Sequence, residues 1–310
     1  MSLPVIDTPK FTMNLMSVKD PISYRPFLVK EEKLLLMAME GGEEKDIIDT
    51  TKQIINNCIL SENVSAEHLP LFDLQMALLK IRAKSVGDKL DLMLKHPEEK
   101  NSNGESCDTA SKVSMLLGDI KINVDNNHTK QIKLTDTITI EMKYPTMDAY
   151  YRLTEIENNA NASAVEELFT VVGDCIDNIY SNEEAFNASD YTKEDMDNFI
   201  NSLTSEQFEK LKVFFHTMPA LTHDVEWTCS ECKCKEKQTL NGIGDFFFIV
   251  CSHNTLANYY QLTFQLMQQH KYNLTEIENL IPFERDIYVE MLISHIEEEN
   301  KKIQEQQRKK

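Results

Sequence analysis

The sequence predicts an α+β protein, predominantly α-helical, whose helical N- and C-terminal parts flank a small antiparallel β-meander. Three observations predict it. Glycine is scarce, 8 in 310 residues, against a usual share of roughly 7%. Period-two apolar runs, separated by Asn/Asp/Gly/Ser clusters, gather in residues 87–148. On either side, helical apolar spacings and Ser/Thr-x-x-Glu/Gln capping signals dominate. The expected division is 1–86 as an N-terminal arm and helices and 87–148 as a small antiparallel β subdomain. Residues 149–310 form a helical domain with a Cys-x-x-Cys knuckle and a C-terminal helix.

Residues 1–29 carry Pro4, Pro9, Pro21 and Pro26 and suggest an extended arm. Lys30–Glu40 is rich in strong helix formers and is stopped by Gly41-Gly42. A second helix over Glu44–Cys58 places Ile47, Ile48, Ile54 and Ile55 near one face, and a third follows Leu69-Pro70 around Phe72–Ala83. Partial alternation over Val86–Lys95, Lys112–Ile122 and Gln131–Met142 marks strands, with turns at Pro97–Ser106 and Asp125–His128 and closure at Pro145. Capping boxes are expected at Thr154/Glu157, Ser181/Glu184, Thr204/Gln207 and Thr275/Glu278. The frame Tyr-x-Leu-Thr-Glu-Ile-Glu-Asn occurs at Tyr151–Asn158 and Tyr272–Asn279, which suggests two similar helix starts. Asn254–His270 carries a stripe of Leu256, Tyr259, Tyr260, Phe264 and Met267. Pro282 fits the first helical position. Phe283, Ile287 and Met291 with Tyr288, Leu292 and Ile296 then form a face wide enough for core burial. The tail from Glu297 to Lys310 suggests a solvated extension of that helix, or a segment ordered by a partner.

Charge narrows the function. With 32 Lys+Arg against 51 Asp+Glu, the formal net charge is −19. Nucleic-acid binding, which needs clustered cations to neutralise phosphates, is therefore not expected, nor is an anionic membrane surface. The longest wholly apolar runs, such as Phe246–Cys251, are six residues, against the roughly 20 a bilayer span needs. The N-terminus shows no basic region followed by an apolar core, so no signal peptide is expected, and a cytoplasm is the expected site of folding.

Seven cysteines without framework spacing argue against a disulfide scaffold. Cys58, Cys107, Cys175 and Cys251 are scattered, whereas Cys229, Cys232 and Cys234 cluster. Cys229-x-x-Cys232 can place two thiolates on one tetrahedral Zn²⁺, and a closed site needs two more ligands. Cys234, Cys251, His223 and His253 are the candidates. A helix start near Phe246–Cys251 would turn Cys251 away. Half a knuckle favours the competing reading, an unmetallated cysteine cluster. The other histidines, His96 among them, suggest surface or structural roles. Gly242-Ile243-Gly244 suggests a loop. No convergent acid, base and nucleophile set is visible, so no enzyme is expected. Arg25 beside Phe27 and Phe283 beside Arg285 have two readings: staple-like helix starts, or Arg–carboxylate contacts that fix the two chain ends together.

Several strings carry a family resemblance. Tyr24-Arg25-Pro26-Phe27-Leu28-Val29-Lys30-Glu31-Glu32-Lys33-Leu34-Leu35 resembles the entry segment of T-even-type bacteriophage baseplate hub and hub-assembly proteins. Leu71-Phe72-Asp73 and Lys80–Gly87 are similar to the next block. Met142–Pro145, Phe214–Pro219 and Cys229-x-x-Cys232 are similar to the middle blocks. Gly242–Phe247 and Ile281–Tyr288 are similar to the last two, so the resemblance spans about residues 20–298. It implies a non-enzymatic role in building the central hub of a contractile tail's baseplate, as hub subunit or as chaperone-like assembly factor. The implied partners are other phage hub proteins, with an oligomer within the hub, and the implied location is the host cytoplasm during assembly or the virion. The family carries over no catalytic residues. The alternative is a zinc-stabilised protein-binding module of a phage, acting on a host or other non-baseplate partner.

Overall fold

A computed structural model describes residues 8–100, 102–158, 162–182 and 184–308. Its elements in chain order begin with β1 (Phe11–Met13), β2 (Ile22–Tyr24), α1 (Val29–Gly41), α2 (Glu44–Cys58) and α3 (Leu71–Ser85). Next come β3 (Lys89–Leu94), β4 (Ser111–Leu116), β5 (Lys121–Asn123), β6 (Gln131–Lys133), β7 (Ile138–Met142), α4 (Met147–Asn158) and α5 (Ala162–Asp174). The chain continues as β8 (Ile176–Ser181), β9 (Glu184–Asn187), α6 (Lys193–Asn201), α7 (Ser205–Thr217), β10 (Ala220–Thr228) and β11 (Lys235–Asn241). It ends with α8 (Gly242–Cys251), α9 (Leu256–His270), α10 (Leu274–Glu278) and α11 (Pro282–Arg308). The predicted class is found: helical terminal parts flank a β region of small antiparallel sheets.

The chain forms two compact units. Unit 1 takes the described residues up to Val64, then Met76–Ile120 and His223 onward. Its centre is α1, which contacts α2, α8, α9, α10 and α11. Leu35 and Leu36 of α1 meet a core that includes Ile54 and Ile55 of α2 and Phe246, Phe247 and Val250 of α8, all at most 2% exposed. Burial of each such side chain contributes roughly 1.5–3 kcal/mol before chain entropy is set against it. Helix α1 stops at Gly42, whose φ of +69° is left-handed and whose N–H reaches the Ala38 carbonyl. Strand β3 buries Leu90, Leu92 and Leu94 and exposes the residues between, and pairs antiparallel with β4 from Lys89↔Leu116 to Leu94↔Ser111.

Unit 2 comprises Ser65–Gln75 and Lys121–Thr222. Strands β6, β7, β8 and β9 form an antiparallel sheet in chain order, with α4 and α5 inserted between β7 and β8. Ile140, Met142 and Ile176 from the sheet pack with Val172, Ile200, Leu211 and Phe214 from α5, α6 and α7. Reciprocal capping boxes start α6 at Thr192/Asp195 and α7 at the expected Thr204/Gln207.

Several local expectations change. The arm is not simply extended, because β1 and β2 pair and Met13, Ile22, Tyr24 and Phe27 are buried; Pro4, within residues 1–7, lies outside the described residues, as do the last two lysines of the tail. The strands of 87–148 do not form one meander. β3 pairs with β4, β5 with the start of β10, and β6 and β7 join β8 and β9, beyond residue 148. Ser181/Glu184 is a strand pair across a turn, with Asn182 at a left-handed φ of 57°, not a helix start. The cap of α10 is Asn273, whose side chain accepts from Thr275 N–H, so Thr275 lies inside the helix. Thr154 falls within α4; the side chains of the Thr154/Glu157 box lie outside the described residues. The two similar octapeptides therefore sit in different settings, one inside α4 and one across the start of α10. Gly242-Ile243-Gly244 is the first turn of α8.

Candidate metal centre

The Cys229–Cys234 turn of unit 1 joins the neighbouring strands β10 and β11. Cys229 N–H donates to the Cys234 carbonyl at 3.0 Å. Lys233 takes a left-handed φ of 61°, and its Nζ donates to the Ser230 carbonyl at 2.5 Å. The second wall is the connection between β3 and β4, which carries His96 and Cys107. It folds back on itself: Cys107 N–H donates to the Glu99 carbonyl at 2.7 Å, and Lys95 pairs with Asp108 at 2.6 Å. Polar contacts fasten the two walls. Ser230 N–H donates to Ser111 Oγ and Ser102 N–H to Glu236 Oε1, and the Thr109 hydroxyl meets Glu231.

Four donor atoms converge between the walls. One each from His96, Cys107, Cys229 and Cys232, they all lie within 4.8 Å of one another. Cys107 Sγ and Cys229 Sγ are 3.7 Å apart, and Cys232 Sγ is 3.4 Å from His96 Nε2. His96, Cys107 and Cys229 are buried. The His96 ring lies 5.1 Å from that of Trp227, and its Nδ1 is 3.2 Å from Glu236 Oε1, within ion-pair range though not aligned as a hydrogen bond. Burial would raise the Cys229 thiol, but backbone N–H groups of Glu231 and Cys232, with His96, outweigh it and bring it down to about 6. Cys107 moves the other way. A backbone hydrogen bond from Thr109 favours its thiolate, yet burial and the neighbouring Cys229 and Cys232 sulfurs raise it. The donor set is one that can hold a metal ion.

Of the residues singled out in the sequence, Cys229 and Cys232 come together here and the others do not. Cys234 shares the turn, but its Sγ faces Asn103 Nδ2 at 3.4 Å. Cys251 ends α8 in the core, where burial raises its thiol and Arg82 and Glu32 are the charges it feels. His253 is engaged elsewhere, with Nδ1 3.0 Å from the Val250 carbonyl and Nε2 2.8 Å from Glu32. His223 lies on β10 outside the cluster. His96 and Cys107 were missed because they lie far from the knuckle in sequence, Cys107 being 122 positions before Cys229, so spacing does not link them to it. Their signal was placement at the two edges of the turn segment Pro97–Ser106.

The Arg/Phe doublets lie in unit 1 at the start of α1 and of α11. Arg25 makes a two-pronged contact with Glu31 at 2.7 and 2.8 Å, and Glu31 also accepts from Leu28 N–H at 2.8 Å. Phe27 is fully buried, with its N–H on Ser85 Oγ, whereas Phe283 is 37% exposed. Arg285, 4% exposed, pairs with the fully buried Glu32, which also meets His253 and Asn254. Burial would raise the Glu32 carboxyl, but the hydrogen bond from His253 and the charge of Arg285 hold it below the usual carboxylate range.

A family model described as T4 bacteriophage base plate protein matches residues 8–248. No curated protein and no solved structure matches the chain.

Proposed function

The chain belongs to the T4 bacteriophage base plate protein family, and from that premise we propose that it acts without catalysis in assembling the central hub of a contractile-tail baseplate. The observation that carries this is the match across residues 8–248, a span that takes in both units. The hub-like strings from Tyr24 to Phe247 fall within the same span. A baseplate protein works in contact with other phage proteins, and the acidic balance of this chain favours hub partners with basic surfaces. A non-catalytic role is supported by how polar groups are used in unit 1. Glu31 and Glu32 are engaged by Arg25, Arg285, His253 and Asn254, which serves packing.

Two versions of the role differ in one measurement. A hub subunit stays in the particle, and an assembly factor leaves it. Mass spectrometry of purified virions, alongside co-purification of the tagged chain from infected cells, separates them. Hub proteins in the pull-down are expected in either version. A chain that is missing from virions and brings down no baseplate protein would refute both.

A further inference from the structure

We propose that His96, Cys107, Cys229 and Cys232 bind one Zn²⁺ as a closed structural site that clasps the His96–Cys107 connection to the Cys229–Cys234 turn. The geometry carries the assignment. In a tetrahedral site with Zn–S of about 2.3 Å and Zn–N of about 2.0–2.1 Å, two sulfurs stand about 3.8 Å apart and a sulfur and a nitrogen about 3.5 Å. The observed separations are 3.7 Å for Cys107 Sγ to Cys229 Sγ and 3.4 Å for Cys232 Sγ to His96 Nε2. All pairs fall within 4.8 Å, so contraction of a few tenths of an ångström to about 1 Å along the longest edges completes the tetrahedron.

The surroundings fit the same ion. Nε2 of His96 faces the sulfurs, and Nδ1 stands 3.2 Å from Glu236 Oε1, a carboxylate within reach of a metal-bound imidazole though not aligned with it as a hydrogen bond. Three sulfurs and one imidazole nitrogen form a soft donor set that suits Zn²⁺ and not Mg²⁺ or Ca²⁺. Four protein ligands fill the coordination sphere and leave no position for substrate, which makes the site structural. With the imidazole bound neutral, three thiolates and Zn²⁺ leave one net negative charge. The site joins stretches of unit 1 that are far apart in sequence, with Cys107 and Cys229 separated by 122 positions.

The test uses the full-length chain purified under reducing conditions. Elemental analysis is expected to find about one zinc per chain. Replacing zinc by Co²⁺ should give intense thiolate-to-metal absorption together with the visible bands of tetrahedral cobalt. His96→Ala, Cys107→Ser, Cys229→Ser and Cys232→Ser should each lose the metal, while Cys234→Ser should keep it. If a ligand variant fails to fold, the cobalt spectrum of the unmodified chain and the metal content of Cys234→Ser still decide. No zinc above background and no thiolate–cobalt band overturns the site. Metal retained by Cys107→Ser but lost from Cys234→Ser overturns this ligand set.

Discussion

Two adjacent carboxylates on α1 receive the two arginines that the sequence singles out. Glu31 takes Arg25 at the partly exposed edge, and Glu32 takes Arg285 in the interior. Removing one member of a buried pair strands the other charge, which costs about 3–5 kcal/mol. Arg285→Leu should therefore lower unfolding free energy by about that much in urea denaturation. Arg25→Leu should cost less, because the Arg25 side chain is 16% exposed and water can partly replace its contact. The pH dependence has a definite sign. A carboxyl whose folded value is depressed contributes stability above its unfolded value, near 4.3 for Glu, and loses it as pH falls through the folded value. Glu32 is such a group, since His253 and Arg285 outweigh its burial. The stability gap between the natural chain and Glu32→Gln should thus shrink as pH falls below about 4. A gap that instead grows below about pH 4 would show that the carboxylate is not favoured. The arginines were legible in the sequence but their partners were not, because a chain with 51 acidic residues offers every arginine many carboxylates.

Elements divide by whether their signal is local. Helix α2 runs from Glu44 to Cys58 as expected, because polar flanks and an isoleucine stripe specify both limits. The end of α1 is equally local. Gly42 holds a φ of +69° with open space where a Cβ would go, so Gly42→Ala should cost about 1 kcal/mol through backbone strain alone. Thermal unfolding of that variant measures it. Other signals were present but do not say what covers them. Val225 and Trp227 alternate with exposed neighbours as a strand should, yet β10 becomes recognisable only through its neighbours β5 and β11. The knuckle gives away Cys229 and Cys232, whereas His96 and Cys107 reach them only through tertiary pairing of distant segments. Helix α11 shows the opposite failure. Its apolar stripe suggests core burial, but Ile287, Tyr288 and Met291 are 51–63% exposed, while Pro282 and Arg285 are buried. The same holds on α9, where Tyr259 is buried but Tyr260 and Phe264 are 52% and 63% exposed. Helical period fixes which residues share a face, not whether that face meets protein. Full burial on α11 is confined to its first turn, Val289, Leu292 and Ile296 are half-buried and residues 298–308 are exposed, so deleting residues 298–310 should shift unfolding free energy by less than about 0.5 kcal/mol.

At the scale of the whole molecule, linear cuts near residues 86 and 148 cannot describe units built from discontinuous stretches. Charge, by contrast, is a property of the whole chain that composition gives directly. A net charge of −19 creates a long-range field that draws in basic partners and repels acidic ones. If the proposed hub partners bind through that field, it acts mainly on encounter, and short-range packing governs release. Salt then separates the two contributions, because the screening length falls from about 10 Å at 0.1 M to about 3 Å at 1 M. Binding of the purified chain to a hub partner, followed by surface plasmon resonance across that range, should show the association rate falling by tenfold or more while the dissociation rate changes little. An association rate independent of ionic strength would assign recognition to apolar contact, for which the exposed faces of α9 and α11 supply the side chains. The acidity would then serve only to keep the unassembled chain soluble.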